Sequence, residues 1–166
     1  MALNASLNSS TQVSNSTLIK YFPAPTLGSM VWSYFPNQEE ADPDAAPVRP
    51  KPRPALVVGV AVENGIPYVI VVPGTTKRTS ESELYPTEFA IRKTDADYPF
   101  TGLSHDTKFN FEREIKLPYS SEYFAIPKKK PGSKHAPNDP RLGILPFSYA
   151  EPLKQAAKNA SEIQNK

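Results

Sequence analysis

Arg53 and Thr75 are the residue types that could handle a phosphate. A guanidinium offers a fixed fork of N–H donors that matches phosphate oxygens, and a neighbouring hydroxyl adds a further donor. The stretch between them is built to bring them together. Residues 55–62 and 67–72 are short apolar runs rich in Val, which predicts two buried strands. Asn64-Gly65 separates them, and both residues tolerate the positive φ of a tight hairpin turn. In an antiparallel pair the start of one strand lies beside the end of the other, so Arg53 comes beside Thr75. The same spacing also fits a solvated loop arginine and a turn threonine. On spacing alone that plainer reading is the stronger one.

A second chemical signal lies downstream. Residues 108–134 carry seven Lys/Arg (108, 113, 116, 128, 129, 130 and 134) against three Glu (112, 114 and 122). Tyr119, Tyr123 and Phe124 are interleaved with them. Basic charge with aromatics suits single-stranded nucleic acid, because phosphates are neutralised while bases stack. A solvated basic loop would look the same. The net charge of the chain is only +2, so any nucleic-acid binding must come from such a local patch rather than a global field.

Composition bounds the scaffold that positions these groups. The 166 residues fit one domain with length to spare for tails. Nineteen prolines exclude a helical bundle, since each one inside a helix removes a hydrogen bond and clashes with the preceding turn. The apolar residues cluster in short runs, as in a mainly β domain. With no cysteine, disulfides and thiolate metal sites are excluded and a reducing cytoplasm fits. The two histidines, His105 and His135, show no metal-ligand spacing, and no metal or cofactor is expected. The N-terminus lacks the pattern of a secretory signal, and no run approaches the roughly 20 apolar residues of a membrane span.

Along the chain, residues 1–27 are rich in Ser, Asn and Thr and read as a disordered extension, with Leu18, Ile19, Tyr21 and Phe22 able to dock on the domain. Residues 28–36 form the first strand, with bulk on both faces. A loop at 37–52 follows, acidic and then proline-rich; Pro47 to Pro52 fits a stiff connector or, less well, an extended ligand for a partner. Beyond the hairpin, residues 85–91 read as an edge strand with Pro86 at its start. Residues 107–111 alternate with both Phe rings inward, and residues 114–117 continue that alternation. Another loop spans 127–141. One helix then begins with Pro152 at its first position and carries an apolar stripe of Leu153, Ala156, Ala157, Ala160 and Ile163. The expected organisation is a single domain over 28–160 and a frayed tail at 161–166.

Five stretches in this order resemble the MazF/PemK/Kid family of toxin endoribonucleases from type II toxin–antitoxin systems. They are Gly28-Ser29-Met30-Val31-Trp32-Ser33-Tyr34-Phe35-Pro36, Lys51-Pro52-Arg53-Pro54-Ala55-Leu56-Val57-Val58, Val71-Val72-Pro73-Gly74-Thr75-Thr76, Tyr85-Pro86-Thr87-Glu88-Phe89, and Gly102-Leu103-Ser104-His105-Asp106-Thr107 with Asn110. A Leu-Gly turn and a helix follow. The first stretch departs from the family in having Ser29 where an acidic residue is usual.

The resemblance implies an SH3-like, half-open β-barrel of the MazF/PemK/CcdB type with one C-terminal helix. It also implies a cytoplasmic homodimer, encoded by a bacterium, phage or plasmid and inhibited by a cognate antitoxin. The implied reaction is metal-independent cleavage of single-stranded RNA by attack of the ribose 2′-hydroxyl on the adjacent phosphate. Arg53 and Thr75 occupy the family's active-site positions. A guanidinium is a poor proton donor because it holds its proton so tightly, so His105 and Asp106 are the candidate proton-transfer partners. The residues expected to bind RNA are Trp32, Tyr34, Thr76, Lys77, Arg78, Lys108, Lys128, Lys129 and Lys130. The alternative is a non-catalytic binding protein on the same barrel, either a CcdB-like topoisomerase poison or a decoy for an antitoxin or RNA.

Overall fold

The computed structural model describes residues 18–35 and 50–165. Most of the N-terminal extension and of the 37–52 loop therefore lies outside the described residues. Seven strands form one curled antiparallel sheet: β1 (Ser29–Ser33), β2 (Arg53–Glu63), β3 (Ile66–Thr75), β4 (Glu88–Ile91), β5 (Thr107–Asn110), β6 (Ile115–Pro118) and β7 (Arg141–Ile144). Among the described residues one α-helix, α1 (Ala150–Gln164), follows β7. Among the described residues this is the mainly β half-barrel with a C-terminal helix that the sequence predicts.

The hairpin β2–β3 is the axis of the sheet. Asn64 and Gly65 both take positive φ, 52° and 76°, as a two-residue turn of this hand requires. The strand order is β4-β5-β3-β2-β1-β7, and β6 also pairs with β3. Thus β3 serves two neighbours on one edge: Tyr68 to Val71 pair with β6, whereas Gly74 and Thr75 pair with β5. A bulge in β2 between Val57 and Gly59 adds twist, and the switch of partner along β3 curls the sheet. Gly74 permits the close approach at that switch. A Cβ there would sit 2.7 Å from Thr107 Cγ2 and 3.1 Å from the Pro54 carbonyl oxygen.

The curl leaves an apolar core on each face. Met30, Leu56, Val72, Phe89, Ile91, Phe109 and Phe111 pack with Ala156 and Ala160 of α1. Val31, Ala55, Val57, Val69 and Val71 pack with Phe22, Leu117, Tyr119 and Phe124. Full burial of each large side chain contributes roughly 1.5–3 kcal/mol, which explains why central strands read as continuous apolar runs. Phe22 is buried and its N–H bonds the Tyr119 carbonyl at 2.9 Å, so residues 18–27 do attach to the domain through this ring.

Several boundaries differ from expectation. Residues 85–87 are a turn rather than strand, closed by the N–H of Glu88, the first residue of β4, on the Tyr85 carbonyl at 2.9 Å. Pro152 is the third residue of α1, still within the first turn where its missing N–H costs nothing. The helix runs through Gln164, and Ile163 at the end of the apolar stripe is exposed.

Candidate functional site

The site grows from the register of the strands. Ser33 of β1 pairs with Arg53, Thr75 with Lys108, and Lys108 with Ala90. The β2–β3 register at Ala55↔Pro73, continued by two residues, sets Arg53 opposite Thr75. Paired residues of an antiparallel sheet point to the same side. Ser33, Arg53, Thr75 and Lys108 therefore form one row across the open end of the hairpin. Outside Ser33, Phe124 extends the row through an isolated bridge.

Each member of the row has a distinct environment. Arg53 is exposed, and among the described residues no hydrogen bond or ion pair engages its guanidinium. Thr75 is half-buried, and its Oγ1 accepts the Lys77 N–H at 3.3 Å, leaving the hydroxyl hydrogen to donate elsewhere. Ser33 is buried with its Oγ donating to the Tyr123 carbonyl at 3.2 Å. A guanidinium that no described residue engages, on a strand end opposite a hydroxyl, has donors to offer an oxyanion.

A protein-family model described as PemK-like, MazF-like toxin of type II toxin–antitoxin system matches residues 28–118. The chain belongs to this family. As a type II toxin it has an antitoxin as its partner. The match runs from β1 through β6 and so contains the whole Ser33–Arg53–Thr75–Lys108 row. A comparison with curated proteins returned no match.

The other residues expected in the toxin's site divide into groups. Thr76, Lys77 and Arg78 are exposed in the loop directly after Thr75, with Arg78 at φ 54°. His105 and Asp106 precede β5, at the same end of the sheet as that loop. The His105 side chain is exposed while its carbonyl accepts from Thr107 Oγ1 at 2.8 Å. Asp106 is committed elsewhere: its Oδ1 accepts the Lys93 N–H at 2.7 Å. Burial, and then the Asp106 charge, push the Tyr98 hydroxyl above its ordinary pKa. Trp32 and Tyr34 are half-buried along β1, and Lys128, Lys129 and Lys130 are exposed in the loop that leaves its edge.

Lys108 corrects the sequence expectation. It is not a surface cation offered to RNA. Its side chain is 8% exposed and its Nζ lies 2.9 Å from Glu88 Oε2, whose side chain is 4% exposed. Alternation along β5 points Lys108 away from Phe109, but β4 and the Tyr85 ring cover that face. Glu88 and Tyr85 stood in a recognisable motif, yet the ion pair joins distant parts of the chain and only the fold reveals it.

Two further features flank the row. Asp139 and Arg141, at the start of β7, form a forked pair with Nη2–Oδ2 at 2.7 Å. The hydrogen bonds from Arg141 hold the Asp139 carboxyl below the usual range. A cavity of about 560 Å³ lies between β4, the 92–97 loop and α1, lined by Glu81, Arg92, Asp95, Asp97 and Tyr149 among others. None of Arg53, Thr75 and His105 lines it. Among the described residues no three His, Cys, Asp or Glu side chains gather to hold a metal, and no helix is long and apolar enough to cross a membrane.

Proposed function

We propose that this toxin is an endoribonuclease that cleaves single-stranded RNA by transesterification. The ribose 2′-oxygen bonds to the adjacent phosphorus as its proton leaves, and the P–O5′ bond breaks as O5′ gains a proton. The products are a 2′,3′-cyclic phosphate and a 5′-hydroxyl end. The observation that carries this reading is the β2–β3 register, which sets Arg53, whose guanidinium no described residue engages, opposite Thr75 on one side of the sheet.

Charge accumulates on the non-bridging oxygens in the transition state, and donors fixed in advance stabilise it without reorganisation. Arg53 supplies two N–H groups in one plane and Thr75 a third donor. His105 is the candidate proton carrier, since an imidazole can accept a proton at one ring nitrogen and donate one from the other. The involvement of Asp106 in the Lys93 contact argues for a positioning part, not a proton-transfer one. The exposed cations of Lys77, Arg78 and the 128–130 loop would hold flanking phosphates. The reaction as drawn calls on no metal. The active form in this reading is a cytoplasmic homodimer whose RNA site the antitoxin blocks.

The test is to incubate the purified protein with varied single-stranded RNAs, with and without EDTA, and to map the new ends. Cleavage that persists in EDTA and leaves 5′-hydroxyl ends is the expected result. Intact RNA under all conditions, together with growth arrest on expression, would sink the nuclease reading and favour a non-catalytic poison.

A further inference from the structure

Tyr85 is a large aromatic residue that is 63% exposed on a backbone with almost no freedom. Its carbonyl accepts the Glu88 N–H at 2.9 Å, and its own N–H donates to Glu88 Oε2 at 3.0 Å. Pro86 restricts Tyr85 to extended backbone, and the Pro86 carbonyl accepts from Asn159 Nδ2 of α1 at 2.7 Å. Thr87 is buried and its Oγ1 donates to Asn110 Oδ1 at 3.0 Å. Beneath the ring, the Lys108 ammonium lies 5.8 Å from the ring centroid while paired to Glu88. One face of the ring is therefore set on a buried cation, which holds its plane.

Fold stability does not account for this arrangement. A ring left mostly in water contributes little burial, whereas the buried Glu88–Lys108 pair beneath it carries a desolvation cost. Such an outlay is understandable when a ligand uses the ring. The location says which ligand. Lys108 is the direct cross-strand neighbour of Thr75, so the ring lies over the Lys108 end of the row that contains Arg53 and Thr75. Adjacent strands lie about 4.8 Å apart, so β4, which follows Tyr85, runs two strand spacings, roughly 10 Å, from Thr75.

We propose that Tyr85 is a stacking platform for an unpaired RNA base adjoining the phosphate held by Arg53 and Thr75, with Glu88 and Lys108 as the positioning residues that fix its plane. The proposal rests on the RNA-cleaving reading above. A rigid exposed ring binds a base without first losing side-chain freedom, and stacking accepts any base because each has a π-face.

The probe is a fluorescein-labelled, 2′-O-methylated single-stranded oligonucleotide, which the protein can bind but cannot cut. A companion series lacks one base at a time. Anisotropy titrations compare wild type, Tyr85→Ala and Tyr85→Trp. The main-chain bonds at position 85 survive all these changes, and thermal melts check that the fold does too. Tyr85→Ala should weaken binding by roughly tenfold or more, and Tyr85→Trp should retain it. One abasic position should weaken wild type by a similar factor yet leave Tyr85→Ala unaffected. Equal affinity of wild type and Tyr85→Ala would overturn the platform while leaving the nuclease reading intact, as would losses that simply add at every abasic position. Failure of the wild type to bind any oligonucleotide would overturn both.

Discussion

The two ends of the central hairpin are built on different terms. At the closed end the turn residues answer to the backbone and the charges to a neighbour. Asn64 and Gly65 supply the positive φ of the turn, and Glu63 pairs with Lys116, whose ammonium lies 5.1 Å from the Tyr68 ring centroid. At the open end the strands are not joined, and nothing in strand geometry calls for an arginine at position 53. Its guanidinium is engaged by no partner among the described residues, while Lys108 in the same row is buried and fully paired. Charge that the fold uses is paired; charge that the fold leaves open is available to a ligand. Mutations should therefore separate cleanly, with activity lost where a group is left exposed and unpaired and stability lost where the backbone is closely packed or held at positive φ.

The largest effect is expected at Arg53. Arg53→Ala should lower the proposed RNA cleavage by about 10²–10³-fold, the usual cost of removing one preorganised donor to a transition-state oxyanion. Its thermal midpoint should stay where it was, because the side chain is exposed. Arg53→Lys should recover little, since a point charge cannot reproduce the planar fork. A fall in the melting midpoint equal to that of a core variant would break the comparison. Next comes Gly74→Ala, on the opposite side of the same strand end. The new methyl group meets Thr107, Phe109 and the Pro54 carbonyl, so a destabilisation of roughly 1–3 kcal/mol is expected in urea melts. Gly65→Ala should cost about 1–2 kcal/mol through its left-handed φ alone, since nothing lies within 4 Å of the added carbon. That variant should cleave RNA at the wild-type rate at temperatures where it remains folded.

How much of this was legible beforehand follows the range of the interactions. The hairpin could be read because its signals are local: two Val-rich runs and an Asn-Gly turn. Arg53 and Thr75 followed by antiparallel geometry, although spacing alone favoured a plainer reading until the order of five motifs was weighed. Tyr85-Pro86 looked like the start of a strand, but the Glu88 side chain folds back to cap the Tyr85 N–H and makes a turn instead. Lys108 looked exposed because it alternates with buried Phe109; what covers it comes from β4 and the preceding turn, which no periodicity along β5 can disclose. The isolated bridge from Ser33 to Phe124 is likewise invisible in the sequence, yet it ties the chain to β1 four residues before the basic 128–130 loop begins.

The smallest effect sharpens the comparison most. Lys116 and Glu63 form an ion pair at the closed end with side chains 44% and 53% exposed. Such pairs contribute little, because water screens them and two long side chains must be held still. Lys116→Met should shift stability by less than about 0.5 kcal/mol, and the shift should shrink further in high salt. It should also leave RNA affinity unchanged, because the lone charge it removes belongs to a neutral pair at the end of the sheet remote from Arg53. Charge reversal at Lys77, in the loop beside Thr75, is the matched control and should weaken RNA binding while flattening its salt dependence. Should Lys116→Met instead weaken binding as much as the Lys77 change, the RNA path would have to run the full length of the hairpin. The closed end would then be a second contact surface and not the passive support inferred from its paired charges.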